Sequence, residues 1–193
     1  MIGGSELVKV DAAHSALVQG LVMASKPRKI LELGLGGGET TDAILRGLQY
    51  NQQKFDYTLV DNWCDWGGRK PEVVEQAYGH SIKILTSDEK DFVFSCKERY
   101  DFIMSDADHH QADQWFEYVY ENLLTPGGIL IYHDVNFVDK ECFENLKTIY
   151  HTVNDKGISH NLFNKNSIPG ERCQRGLLVI FGRNEYAAIQ PTA

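Results

Sequence analysis

Short apolar runs alternate along the chain with stretches whose apolar residues recur every three or four positions. Ile30 to Leu33 is the first compact run; Ala43, Ile44 and Leu48 follow at helical spacing, and Phe55 to Val60 is apolar again and ends at Asp61. An apolar run of about four to eight residues reads as a buried strand, and the wider spacing as one face of a helix. By the same reading Pro71 to Tyr78 is a helix, Ile82 to Thr86 a strand ending at Ser87 and Asp88, Glu89 to Glu98 a helix, and Tyr100 to Met104 a strand. Gln111 to Leu124 predicts a longer helix with Trp115, Val119 and Leu123 on one face. The turn Thr125 to Gly128 then leads into the strand Ile129 to His133. Upstream, Leu7, Val10, His14, Leu17, Val18, Leu21 and Val22 keep helical spacing, so the chain opens with an amphipathic helix.

Strand and helix in alternation predict a parallel sheet covered by helices on both faces, with ligand at the carboxyl ends of the strands. The end of the chain breaks this rhythm. Ile158 to Phe163 and Gly176 to Gly182 both read as strands, and the link between them has no helical pattern, so an antiparallel hairpin is expected. The expectation is an α/β three-layer sandwich with a mostly parallel seven-stranded sheet and an antiparallel C-terminal hairpin strand, as one domain over residues 1–193.

The segment ILELGLGGGETT, Ile30 to Thr41, places four glycines between the first strand and the first helix after it. Glycines gather where a backbone turns sharply or a ligand lies directly against it. A strand-to-helix turn of this kind points free N–H groups at a ligand. A dinucleotide fingerprint would need a third glycine three residues beyond Gly36, and that position holds Glu39.

Composition narrows the class of partner. The net charge is −8 and the isoelectric point about 5.3, which argues against nucleic acid or an anionic membrane as the main partner. Cys64, Cys96, Cys142 and Cys173 form neither a C-x-x-C pair nor a zinc spacing, so reduced thiols and a cytoplasmic setting are expected. Glu6 and Asp11 stand where a signal peptide would carry basic residues, and no apolar stretch is long enough to span a bilayer.

The acidic-x-Gly-x-Gly-x-Gly pattern of Glu32, Gly34, Gly36 and Gly38 closely resembles the first motif of Rossmann-like S-adenosylmethionine-dependent methyltransferases. The antiparallel last strand is also similar to that fold. The resemblance implies that these four residues hold the methionine end of S-adenosylmethionine. Asp61, at the end of the second strand, would accept the ribose hydroxyls. Asn62 and Trp63 follow it, and Trp63, with Trp66, would flank the adenine or form a lid; a loop pinned by aromatic burial is the alternative. Ser87 and Asp88 would meet the adenine amino group, although both also suit capping of the next helix.

YDFIMSDADHH follows the same logic on the acceptor side. Methyltransferases of exocyclic amines carry an Asn/Asp-Pro-Pro-aromatic sequence there, whereas this chain has Asp106-Ala107-Asp108-His109. That stretch resembles small-molecule O-methyltransferases of the catechol, caffeoyl-CoA and sugar types. One strand further on, IYHDVNF places His133, Asp134 and Asn136. Asp106, Asp134 and Asn136 form a candidate Mg²⁺ set, with His133 as another ligand or a buried imidazole. Asp106, beside the cofactor, His109 and Asp134 are the candidate catalytic residues, with His109 as a neutral general base in the metal-free alternative.

The expected reaction is transfer of the S-adenosylmethionine methyl to a hydroxyl oxygen of a small-molecule acceptor, with no nucleic-acid or membrane partner and with room for a homodimer. A nicotinamide-dependent oxidoreductase and a catalytically inactive cofactor-binding module are the rival readings. Cys64 to Lys70 and Asn164 to Arg175 are the loops expected to set acceptor specificity.

Overall fold

A computed structural model describes residues 12–64, 71–135, 143–163 and 176–183. Seven strands form one sheet: β1 (Lys29–Leu33), β2 (Asp56–Asp61), β3 (Lys83–Thr86), β4 (Tyr100–Ser105), β5 (Leu124–His133), β6 (His160–Phe163) and β7 (Leu177–Phe181). Their order across the sheet is β3-β2-β1-β4-β5-β7-β6. The first five are parallel, and β7 runs antiparallel to both β5 and β6. The mostly parallel sheet with its antiparallel closing hairpin is therefore present as expected.

Alternation along the strands divides the interior into two cores, because successive side chains leave a strand on opposite faces. On one face Ile30, Phe102, Met104 and Ile131 pack with Val18 and Val22 of α1 (Ala12–Ser25), Ile44 and Leu48 of α2 (Glu39–Asn51), and Val74 of α3 (Pro71–Tyr78). On the other, Leu31, Leu33, Ile103 and Leu130 pack with Val93 of α4 (Glu89–Ser95), Phe116 of α5 (Phe116–Tyr118), and Leu146, Ile149 and Val153 of α6 (Glu144–Asp155). Helices thus cover both faces in a three-layer sandwich.

Three elements differ from the sequence expectation. The helix read over Gln111 to Leu124 is broken into a 3₁₀ turn at Ala112–Gln114, the short α5, and a π turn at Val119–Leu123. Trp115 sits at φ −120° and ψ 5°, outside the helical well, with its indole N–H donated to Glu89, and this interrupts the helix. The predicted apolar face is nevertheless buried. The helix read over Glu89 to Glu98 stops at Ser95. Finally, α6 has no counterpart in the sequence reading, although Leu146, Ile149 and Val153 carry its period.

Register is what aligns the site. Leu33 pairs with Val60 on one side and Ser105 on the other, and Ser105 pairs with Tyr132. The next residue of each strand path, Gly34, Asp61, Asp106 and His133, therefore lies along one edge of the sheet. Strand order reverses between β1 and β4, and in open α/β sheets ligands bind at that crevice.

Candidate active site

The glycine loop rises from β1 at this crevice. Gly34 donates its N–H to Val60 (2.8 Å), and Asp106 donates its own to Leu33 (2.8 Å), so the loop is stitched to β2 on one side and β4 on the other. A β-carbon on Gly34 would lie 2.5 Å from the carbonyl oxygen of Asp106, while one on Gly36 would meet open space. Gly38, at φ 87°, closes the turn as the residue before α2 and donates to Leu35 (2.9 Å). Glu32 is fully buried behind the loop, accepting hydrogen bonds from Thr41 (2.8 Å) and Tyr57. Burial pushes its carboxyl up to about 8, against those two hydrogen bonds, which favour the charged form. It braces the loop from inside by tying the end of β1 to Thr41 of α2 and Tyr57 of β2.

Asp61 is half-buried at the end of β2. One carboxylate oxygen accepts the N–H of Leu35 (2.8 Å) and the other that of Trp63 (2.6 Å), so Asp61 ties the glycine loop to the loop after β2. Asn62 accepts from the N–H of Cys64 (2.9 Å). Trp63, at φ 63°, donates its indole N–H to Thr86 (2.9 Å), which fixes the ring between the ends of β2 and β3. Asp88 caps α4 by accepting the N–H of Lys90 (2.9 Å), and Ser87 bonds the Asp88 carbonyl (3.0 Å). The capping role considered for Asp88 is thus observed, with its side chain still exposed. Gly34, Gly36, Gly38, Asp61, Asn62, Trp63, Ser87 and Asp88 follow one another along the ends of β1, β2 and β3.

On the β4 and β5 side the carboxylates and imidazoles meet. His133 Nδ1 lies 3.2 Å from Asp106 Oδ1 and 3.0 Å from Asp134 Oδ1; His109 Nε2 lies 3.1 Å from Asp106 Oδ1 and 3.4 Å from Asp134 Oδ2. An ionised carboxylate only accepts, so these two ring nitrogens carry the protons. Asp134 reaches back to the cluster from φ 62°, a backbone region uncommon outside glycine and more accessible to Asp than to most residues. Burial opposes charge on His133, but Asp106 and Asp134 outweigh it and raise the imidazole to about 10. For His109 the same two carboxylates overcome burial and raise it too. Burial disfavours the Asp106 carboxylate, yet His133 and His109 together hold it well below the usual carboxylate range. A neutral His109 acting as general base was one sequence expectation; its contacts instead favour the imidazolium.

Asp106, His133 and Asp134 each offer a ligand atom within 4.8 Å of the others, a spacing that fits one ion. Asn136 lies outside the described residues. Two residues enter the site unforeseen. His14, from α1, places Nδ1 3.3 Å from His133 Nε2, and its only sequence signal was an imidazole on an apolar helix face. Glu89, read simply as a helix start, is buried beneath the turn that carries Asp106. A wide groove of about 810 Å³, lined by Tyr120, Gly127, Gly157 and Arg183, opens at the opposite end of β5 and is remote from all these groups.

Comparison with known proteins bears on the family and the fold. A family model described as a methyltransferase domain matches residues 31–135, more than half of the chain and the span from β1 to Val135. Among solved structures, an O-methyltransferase from Bacillus cereus in complex with SAH has a TM-score of 0.71 at 18% identity, over 92% of this chain and 84% of that one. The O-methyltransferase TomG from Streptomyces achromogenes, involved in tomaymycin synthesis and in complex with SAM, has a TM-score of 0.68 at 14% identity, over 92% and 82%. The SAH-bound methyltransferase PaMTH1 from Podospora anserina has a TM-score of 0.64 at 14% identity, over 89% and 78%. Comparison with curated protein sequences gave no match. The chain belongs to the methyltransferase domain family, and its Rossmann-like fold is that of the SAM- and SAH-bound structures above.

Proposed function

We propose that this methyltransferase moves the methyl group of S-adenosylmethionine to an oxygen of a small-molecule acceptor, at a site where Asp106, Asp134 and His133 can hold a divalent ion. The observation that carries the reading is the close approach of Gly34 to the backbone of Asp106, which joins the cofactor loop directly to the acid–imidazole cluster. A sulfonium methyl lying over the glycines would then face an acceptor lying over β4 and β5. The O-methyltransferases among the similar structures support oxygen as the target.

The methionine end would lie over Gly34, Gly36 and Gly38, with Glu32 bracing the loop. The ribose would meet Asp61, and the adenine would lie near Asn62, Trp63, Ser87 and Asp88. Asp61 retains acceptor capacity after its two backbone hydrogen bonds, because each carboxylate oxygen has two lone pairs. The residues' main work is alignment of acceptor oxygen, methyl and sulfur in one line. A bound divalent cation would supply Lewis acidity that lowers the acceptor hydroxyl's pKa. Two carboxylates suit Mg²⁺, and the imidazole beside them extends the range to Mn²⁺ or Zn²⁺. Without an ion, Asp106 and Asp134 would have to take the acceptor proton through His109.

The test has two arms. Thermal unfolding in S-adenosylhomocysteine, NAD and NADP should show stabilisation by the first alone, since only a ligand that binds the native state raises its stability. A screen of hydroxylated metabolites with labelled S-adenosylmethionine should then find label on oxygen. Stabilisation by a nicotinamide dinucleotide would reject the reading; stabilisation by S-adenosylhomocysteine with no transfer to any acceptor would point to the inactive binding module.

A further inference from the structure

We infer that Glu89 is a positioning residue of the transfer site: its buried carboxylate fastens the Ser105–His109 turn so that His109 faces Asp106 and Asp134. The inference rests on the reading of this turn as the acceptor side of the site. Glu89 is the first residue of α4, immediately after Asp88, and is 6% exposed. Donors from three separate places converge on its carboxylate. Oε1 accepts the hydroxyl of Ser105 (3.1 Å), at the end of β4, and the indole N–H of Trp115 (3.2 Å); Oε2 accepts the backbone N–H of Asp108 (2.8 Å).

Asp106 and Ala107 lie between Ser105 and Asp108, and His109 directly follows Asp108. Asp108 carries the hold onward, accepting from the N–H of His110 (2.9 Å) and the side-chain amide of Gln111 (3.0 Å). The turn is thereby anchored to α4 and to the Trp115 region as well as to its own strand. Burial pushes the Glu89 carboxyl up to about 7, against the three hydrogen bonds, which favour the charged form, so a carboxylate at this position costs stability. A buried polar network of that kind fixes one arrangement among several, which is what two imidazoles shared between two carboxylates need.

Glutamine cannot replace it. The Asp108 and Trp115 partners are N–H groups that only donate, so whichever way the amide is turned its NH₂ faces one of them. The test uses protein labelled with ¹⁵N-histidine, with the His109 signals assigned by their loss in His109→Gln. The wild type should show a His109 ring whose Nε2 proton is held by carboxylate. In Glu89→Gln those signals should move toward the positions of a solvated histidine, while unfolding stays cooperative and S-adenosylhomocysteine affinity changes by less than about threefold. Unmoved His109 signals in the folded variant would overturn the inference, as would loss of cofactor affinity with His109 unmoved, which would assign Glu89 to Asp88 instead. Should Glu89→Gln not fold, Glu89→Asp keeps the charge but withdraws it by one methylene, and it must displace the same signals or the inference fails. Cofactor binding by the wild type reports on the function itself and is independent of these outcomes.

Discussion

The carbonyl oxygen of Asp106 occupies the space beside Gly34 so closely that a β-carbon there would stand 2.5 Å from it. Gly34 also sits at φ 87°, a conformation costly for other residues. Gly34→Ala therefore meets a clash and a strained backbone together, and should lose about 2–4 kcal/mol of stability. Denaturant unfolding with an unchanged midpoint would show that β1 and β4 can part without cost. Cofactor affinity should fall as well, because the loop and the cluster share this contact.

Gly36 separates binding from folding. Its φ of 51° disfavours a side chain, but a β-carbon there meets open space rather than protein. Gly36→Val should thus fold with a modest loss, about 1–3 kcal/mol, and abolish cofactor binding by filling the ligand's place against the backbone. Calorimetric titration with S-adenosylhomocysteine, beside a native circular dichroism spectrum, checks both halves.

Asp61→Ala should weaken S-adenosylhomocysteine by about 1.5–3 kcal/mol, the usual size for hydrogen bonds to a charged group. The same change releases the N–H groups of Leu35 and Trp63, so the glycine loop and the Trp63 loop should both exchange amide hydrogens faster. The methyl-transfer step at saturating cofactor should be little altered. Equal affinity in wild type and variant would remove the ribose assignment.

Chelation should stop turnover and leave cofactor binding largely intact, with activity restored by added Mg²⁺ or Mn²⁺. Asp134→Ala should reproduce the loss, since it removes a ligand oxygen next to His133 Nδ1. Full activity in chelator would reject the ion and leave removal of the acceptor proton to Asp106 and Asp134 acting through His109, with His109→Ala as the next variant to assay.

Glu32 predicts a pH dependence. Its folded pKa, about 8, lies above its ordinary 4.5, so the native state binds the proton more tightly than the unfolded chain. Its contribution is most favourable below pH 4.5, declines as pH rises through that window to about 8, and is then constant. Glu32→Gln removes the titration while its amide oxygen can still accept from Thr41 and Tyr57. Relative to wild type, the variant should gain stability between pH 4.5 and 8, on the order of a few kcal/mol. Parallel melting-temperature curves for the two proteins across that range would contradict the burial of an ionisable Glu32.

Local pattern by itself determined the strand and helix order as far as β5, the closing hairpin, and the glycine turn, because each depends on neighbours within a few positions. Ile30 to Leu33 followed by glycines can hardly be read otherwise, and Asp61, Asp106 and His133 were recognisable as residues at strand ends. Helix α6 was overlooked although Leu146, Ile149 and Val153 carry its period. The continuous helix expected at Gln111 to Leu124 gave way because Trp115 is committed to Glu89, a partner 26 residues distant. Only the tertiary structure decided which strand ends are neighbours, since β1 lies between β2 and β4 through pairings that no local spacing encodes. That order brings Gly34 against Asp106, and Asp106 and Asp134 between two imidazoles. The charge states of His109 and His133 follow from this crowding, as do the roles of His14 and Glu89: an imidazole or a carboxylate acquires its chemistry from the groups within about 4 Å, and those come from distant parts of the chain.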